Sequence, residues 1–257
     1  MKQLKKFITR KSLFTLLGII LFLGIWSIIS VCVDEHQMIF PGPIATIEEV
    51  FNILSKSTVY KHILSSVVRL LIGFSIGLLV SMILGVIAGN NRDFRILISP
   101  LITAMKSIPT ASLVFLFLVI FGASETPIVM VSLISFPILY DSIVGGIDNL
   151  DEEVKDAMKV DSGSKIRNVF KVQLPLLVPY FIVGVSSSLA LSFKIEIMSE
   201  ILTGDTRSGL GCAILGAQRN DPVNMVPIFA YSLIAILLAV IFDLIFKFIK
   251  KKINYKE

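Results

Sequence analysis

Apolar residues run through this chain in stretches too long for the core of a soluble domain, at 13–33, 65–89, 97–121, 127–147, 176–200 and 226–248. A helix needs roughly 20 largely apolar residues to cross a bilayer, so about six crossings fit. Inside lipid the backbone has no water to bond, which leaves helices or a closed barrel. Barrel strands would alternate over about ten residues, and no segment here does so. The expected class is all-α and integral to a membrane. Charge supports it, since 17% of the 257 residues are charged, against roughly 25% in a soluble domain.

The net charge of +5 could suggest nucleic acid, but the placement of the positive residues points elsewhere. Lys2, Lys5, Lys6, Arg10 and Lys11 precede the first run, and Arg92 and Arg95 follow the second. Lys155, Lys159, Lys165, Arg167 and Lys171 follow the fourth, and Lys247, Lys250, Lys251, Lys252 and Lys256 close the chain. If the spans alternate, all these clusters fall on one side, as the positive-inside rule requires. Both termini and the 148–175 loop are therefore expected in the cytoplasm, with 34–62 and 201–225 outside. The first run is too long for a signal-peptide core and lacks a cleavage pattern. Cys32 and Cys212 have neither metal nor disulfide spacing and read as small apolar fillers.

Between the spans, Pro41-Gly42-Pro43 marks a rigid turn, and Ile44, Ile47, Val50, Phe51 and Leu54 recur at helical spacing. They predict a short amphipathic helix on the outer surface. Gly73, Gly77, Gly85 and Gly89 permit close helix approach, inside one chain or between two. Arg69 could snorkel outward from the second span. The third span carries Pro100 and Pro109 and the fourth Pro137, so both should bend. Lys194, Glu196 and Glu200 are costly in lipid and are expected either to line the pathway as a mutually compensating set or to sit in headgroup water. The segment 203–221, with Gly204, Gly209 and Gly211, reads as a turn-rich outer loop.

The charged interruption at 150–175 is the natural place to meet a soluble partner. Val154, Ala157 and Met158 supply one apolar helical face, with Asp156 near the start of that helix. Ser162-Gly163 should break the helix, and Ser164 can cap a second one bearing Ile166, Val169 and Phe170. Leu174-Pro175 should open the fifth span. Two short amphipathic helices of this kind suit docking into a protein groove.

The order Asp156-Ala157-Met158, Ser162, Val172, Leu174-Pro175 resembles the Glu-Ala-Ala-x3-Gly-x9-Ile-x-Leu-Pro signature of the membrane subunits of binding-protein-dependent ABC importers. Its spacing is kept; Asp replaces Glu, Met replaces the second Ala, and Ser replaces Gly, with Gly163 one place later. Pro41-Gly42-Pro43, Ser65 to Arg69, Ser107-Ile108-Pro109, Phe121-Gly122, Phe136-Pro137-Ile138, Lys194 to Glu200 and Gly209-Leu210-Gly211 look like the nitrate, sulfonate, taurine and thiamine-precursor subgroup. The resemblance implies one permease domain over 1–257, with a core at 65–248 and a coupling loop at 150–175. Its ATPase-coupling residues would be Asp156, Ala157, Met158, Ser162, Gly163, Leu174 and Pro175, and its pathway candidates Arg69, Lys194, Glu196 and Glu200.

It also implies a second permease copy, a cytoplasmic ATPase dimer that binds ATP and magnesium, and an external solute-binding protein delivering a small anionic or zwitterionic solute. The chain has no phosphate-binding Gly-x4-Gly-Lys-Ser/Thr loop and no Gly-Lys dipeptide, so nucleotide is expected on another chain. No Ser-His or Cys-His pair supports an enzyme, and no metal site is expected. The alternative is an ion-coupled secondary transporter using Lys194, Glu196 or Glu200, which inverted repeats with matching broken spans would favour.

Overall fold

The computed structural model describes residues 10–33, 38–160, 165–204 and 207–253, which form helices and turns. The helices are α1 (Arg10–Val33), α2 (Pro43–Leu54), α3 (Ser57–Asn90), α4 (Arg92–Ser107), α5 (Thr110–Phe121), α6 (Thr126–Asp148), α7 (Glu152–Val160), α8 (Lys165–Asn168), α9 (Leu174–Thr203), α10 (Leu210–Asn220) and α11 (Val226–Ile253). Among the described residues five helices are long and apolar enough to cross a membrane: Leu13–Val33, Ser57–Asn90, Thr126–Asp148, Val169–Thr203 and Val226–Phe246. A sixth crossing is possible if α4 and α5 together make one.

That pair corrects the third predicted span. It is broken, with 99° between the two helices. Pro109 disfavours the helical region for the residue before it, and Ile108 is extended at φ −74° and ψ 131°. Pro109 then opens α5, accepting from the Ser112 N–H. Pro137 does not break α6, where the Ser81 hydroxyl donates to the neighbouring Phe136 carbonyl at 2.9 Å.

Two compact units divide the chain, Met1–Tyr60 with Ala213–Ala235 and Lys61–Cys212 with Ile236–Glu257. In the first, α1 is exposed along nearly its whole length, as suits a helix in lipid, and it is fixed at one end. The Trp26 indole donates to Pro41 O at 3.0 Å and the Ser30 hydroxyl to Phe40 O at 2.7 Å. Phe229 stacks on Trp26 and meets Phe40 edge-on. The predicted amphipathic helix is present as α2, but it turns Pro43, Thr46, Val50 and Ile53 inward. Ile44, Ile47 and Phe51 of the expected apolar face are exposed, while Val50 of the same set is buried. Gly42 O accepts from both the N–H and the hydroxyl of Thr46, which seats that polar residue on the buried side.

In the second unit α6 is the central helix, with thirteen buried residues. The glycine stripe of α3 lies against it: a Cβ at Gly73 would meet Val131 Cβ at 2.8 Å, and one at Gly85 would meet Ile143 Cβ at 3.1 Å. Gly184 of α9 lies against Ser142 in the same manner, and Ser142 donates to Tyr180 O at 2.7 Å. Without a hydrophobic drive between helices in lipid, such backbone approach maximises dispersion contact. The α3 glycines thus serve packing within the chain. On other faces of α6, Ile102 of α4 packs with Phe136, Tyr140 and Val144, and Leu113 and Val114 of α5 pack with Met130 and Ile195.

Candidate functional site

The polar loop between α6 and α9 folds around α7. Asp151 O accepts from the N–H groups of Val154 and Lys155 and starts the helix, with Glu152 and Glu153 in its first turn. Those two acids hold the position favourable to the helix dipole; Asp156, expected there, comes one turn later. Val154 and Met158 are half-buried, whereas Glu153, Asp156, Ala157 and Val160 are exposed. These last four are spaced at i, i+3, i+4 and i+7, a single open face. Ala157 therefore belongs to the outward side and not to the face of Val154 and Met158. Ser162 and Gly163 lie outside the described residues.

The second short helix of the loop is not a separate element. From Lys165 the chain runs through α8 and a π-helical turn, Val169–Gln173, directly into α9. The Leu174 N–H bonds Val169 O, five residues back. Pro175 follows at the start of α9, and its nitrogen cannot donate, so the normal register has no bond to hold it there. Leu174 and Pro175 therefore sit at a register shift within continuous helix. Two polar contacts fix this segment: the Asn168 amide donates to Met158 O at 3.4 Å, and Asn90 and Gln173 exchange amide hydrogen bonds of 2.9 and 3.1 Å. Gln173 is buried. Neither Asn90 nor Gln173 stands out in the sequence, because a buried amide is recognised only by its partner.

At the other end of α9, Glu196 and Glu200 share a face, as their spacing requires, and both are 0% exposed. This excludes headgroup water. Glu200 does not pair with Lys194, which is exposed; its cation is Arg69 of α3, with Nη1 at 2.6 Å. Arg69 is turned inward and does not snorkel. The Glu200 carboxylate also accepts from the Ser66 hydroxyl at 2.9 and 3.0 Å and from the Gly211 N–H at 2.8 Å. Ser66 Oγ accepts from the Leu210 N–H, the His62 ring nitrogen Nδ1 from the Gly209 N–H, and Ser208 O from Arg69. Among the described residues neither Glu196 oxygen has a hydrogen-bond partner, nor do the hydroxyls of Ser192 and Ser199.

This knot explains the second correction in this region. The expected outer loop 203–221 contains α10, whose first N–H groups are received by Ser66 and Glu200 from elsewhere in the chain. A helix start normally has four unsatisfied donors, and here a tertiary contact supplies acceptors. The glycines serve that approach. A Cβ at Gly209, where φ is +151°, would fall on the Glu200 carboxylate, and one at Gly211 would lie 2.6 Å from Glu200 Cβ.

The sequence reading passed over two further charges inside apolar spans. Lys106, in the last turn of α4, pairs with Asp141 of α6, and Arg95 pairs with Asp148 at 2.8 Å. Both pairs are about half-exposed, and a cavity of about 360 Å³ lies between them. The signal that could have found Lys106 and Asp141 is the one used for Glu196: an ionisable residue within an apolar run. No group of metal-ligating side chains occurs among the described residues.

The family of binding-protein-dependent transport system inner membrane components matches residues 77–255. The chain belongs to this family. It is thus a transport subunit and a multi-pass protein of the inner membrane. Among its relatives is the putative aliphatic sulfonates transport permease protein SsuC of Bacillus subtilis (strain 168), 22% identical over 79% of this chain and 74% of that one. The bicarbonate transport system permease protein CmpB of Synechococcus elongatus (strain ATCC 33912 / PCC 7942 / FACHB-805) is 26% identical, over 82% and 79%. The nitrate import permease protein NrtB of Leptolyngbya laminosa is 23% identical, over 82% and 77%. A structure of the MetNI methionine ABC transporter in an inward-facing conformation has the same fold, with a TM-score of 0.62 at 19% identity over 76% of this chain and 94% of that one.

Proposed function

We propose that this family member is the solute-conducting subunit of an ATP-driven importer for a small anion, and that α7 is its docking element for a separate ATPase chain. One observation carries the proposal: a short helix between two spans, with Asp156, Ala157 and Val160 open on one face, stands where the importer signature falls. The small Ala157 lets a partner groove approach closely, and the half-buried Met158 is a flexible filler beneath it. Continuous helix from Lys165 into α9 would carry a push on the loop into the membrane. ATP and magnesium belong to the partner chain, a second permease copy completes the pathway, and an external binding protein delivers the solute. The anionic class is supported by relatives named for sulfonates, bicarbonate and nitrate. The clustering of Lys and Arg favours cytoplasmic termini and a cytoplasmic 150–175 loop.

The test is purification from the native membrane followed by crosslinking. A cysteine at 160, on the open face, should crosslink to a co-purifying ATPase, and one at 207 should not. Ala157→Trp should abolish solute-stimulated ATP hydrolysis and leave membrane insertion intact. Full coupling in that variant, or no crosslink from 160 in any nucleotide state, would reject the docking assignment. A cysteine at 165 that labels with an impermeant reagent from outside would invert the topology.

A further inference from the structure

The groove between α4 and α6 has the features of a wall along which a charged solute moves. Arg95, Ser99, Thr103 and Lys106 are spaced by four, four and three residues, so they form one stripe on α4. Asp141, Gly145 and Asp148 form the facing stripe on α6, and all seven residues except Asp148 line the cavity of about 360 Å³. Asp141 and Gly145 also border a second cavity of about 430 Å³, on the α9 side of α6. A Cβ at Gly145 would meet nothing within 4 Å, so the wall is open between the two ion pairs.

Asp141 lies seven residues from the end of α6, about 10 Å along a helix of this rise. Asp141 thus lies inside the candidate span Thr126–Asp148 and not at its end. The side chains of Lys106 and Asp141 are nonetheless 42% and 51% exposed. A charge facing lipid at depth costs about 2.5–3.5 kcal/mol on insertion scales, so such a surface belongs to a watery passage or a protein contact. The hydroxyls beside it, Ser99 and Thr103, favour water.

We infer that this groove is the anion-selective wall of the pathway, where Lys106 meets the charge of a small oxyanion and Asp141 is the counter-ion that the solute displaces. The inference rests on the transport reading above and names its site. An ammonium has three donors, and Asp141 is the one side chain among the described residues that bonds Lys106. Two donors remain for water or a solute. While the solute holds Lys106, the displaced Asp141 stays on the same wall as an unpaired negative charge that repels it, so entry does not create a deep trap. Conduction needs binding that is favourable enough to enter and weak enough to leave. Lysine also suits this better than arginine, since a flexible point charge imposes no fixed fork on the ligand.

The experiment uses the whole complex with its ATPase in lipid nanodiscs, in a Cys32→Ser, Cys212→Ser background carrying Thr103→Cys. Anionic sulfonatoethyl and cationic trimethylammonioethyl methanethiosulfonates are compared by their modification rates. Thr103→Cys should react with both, and Lys106→Gln should lower the anion-to-cation rate ratio about tenfold, the effect of one nearby charge on two opposite reagents. Asp141→Asn should raise the ratio, and Lys106→Arg should preserve it, which separates charge from misfolding. No modification of Thr103→Cys with or without trapped nucleotide, or a ratio that Lys106→Gln leaves unchanged, would overturn the inference. Co-purification of the ATPase and its hydrolysis of ATP are read on the same sample. If they persist while the ratio fails to respond, the groove assignment alone is rejected; if they are absent, the transport reading itself fails.

Discussion

The two intramembrane ion pairs have the same chemistry and opposite surroundings. Arg69–Glu200 is enclosed, with side chains 14% and 0% exposed, and every bond of the carboxylate goes to α3 or to the start of α10. Lys106–Asp141 is half-open on a cavity wall. An enclosed pair with all its lone pairs used is a fastener, because releasing either partner leaves a buried charge. An open pair can exchange partners, since water or a solute can take the vacated place. Pathway candidacy among intramembrane charges therefore follows from accessibility and not from cost alone.

The comparison breaks most readily at the enclosed pair. Glu200→Ala strands Arg69 and removes the acceptor for Gly211, so the purified complex should lose about 3–5 kcal/mol, as when one member of a buried pair is deleted. Its thermal midpoint should fall steeply, and the double variant Arg69→Met, Glu200→Leu should recover much of the loss. A near-native midpoint in Glu200→Ala would place that carboxylate in water. Gly209→Ala tests the same knot through sterics. The added methyl meets the Glu200 carboxylate at a backbone angle that suits glycine, and the expected loss is about 1–3 kcal/mol. Unchanged stability there would mean that the turn at 207–209 is not held by Glu200.

The smallest effect belongs to the open pair. Lys106→Gln should shift the midpoint by less than about 1 kcal/mol equivalent, because half-exposed ion pairs contribute little, and solute uptake should nonetheless drop. A midpoint loss as large as that of Glu200→Ala would make the two pairs alike and end the contrast.

Much of the fold was legible in the sequence because lipid restricts the possibilities. Twenty apolar residues in lipid can only be a helix, and five of the six predicted spans are single helices. The third failed at Ile108-Pro109. A proline within an apolar run can bend a helix gently or break it, and the packing around it decides which. Pro137 stays within the continuous helix α6; before Pro109 the chain is extended at Ile108 and turns. The 150–175 loop was legible as a polar interruption with helical spacing, yet its open face is Glu153, Asp156, Ala157 and Val160, since periodicity gives a face without saying which side is covered.

The sequence by itself determined that the chain is helical, where its polar interruptions lie and which residues are too costly for lipid. It could also place Glu196 and Glu200 on one face, because a spacing of four is a property of a single helix. Only the tertiary structure decided that Arg69, 131 positions away, is the cation of Glu200, that Ser66 and Glu200 start α10, and that Lys106 faces Asp141. Helix periodicity is a local rule over a few residues, whereas charge pairing and capping depend on which helix lies alongside. In a membrane that choice is made by close packing at positions such as Gly73 and Gly85 against α6.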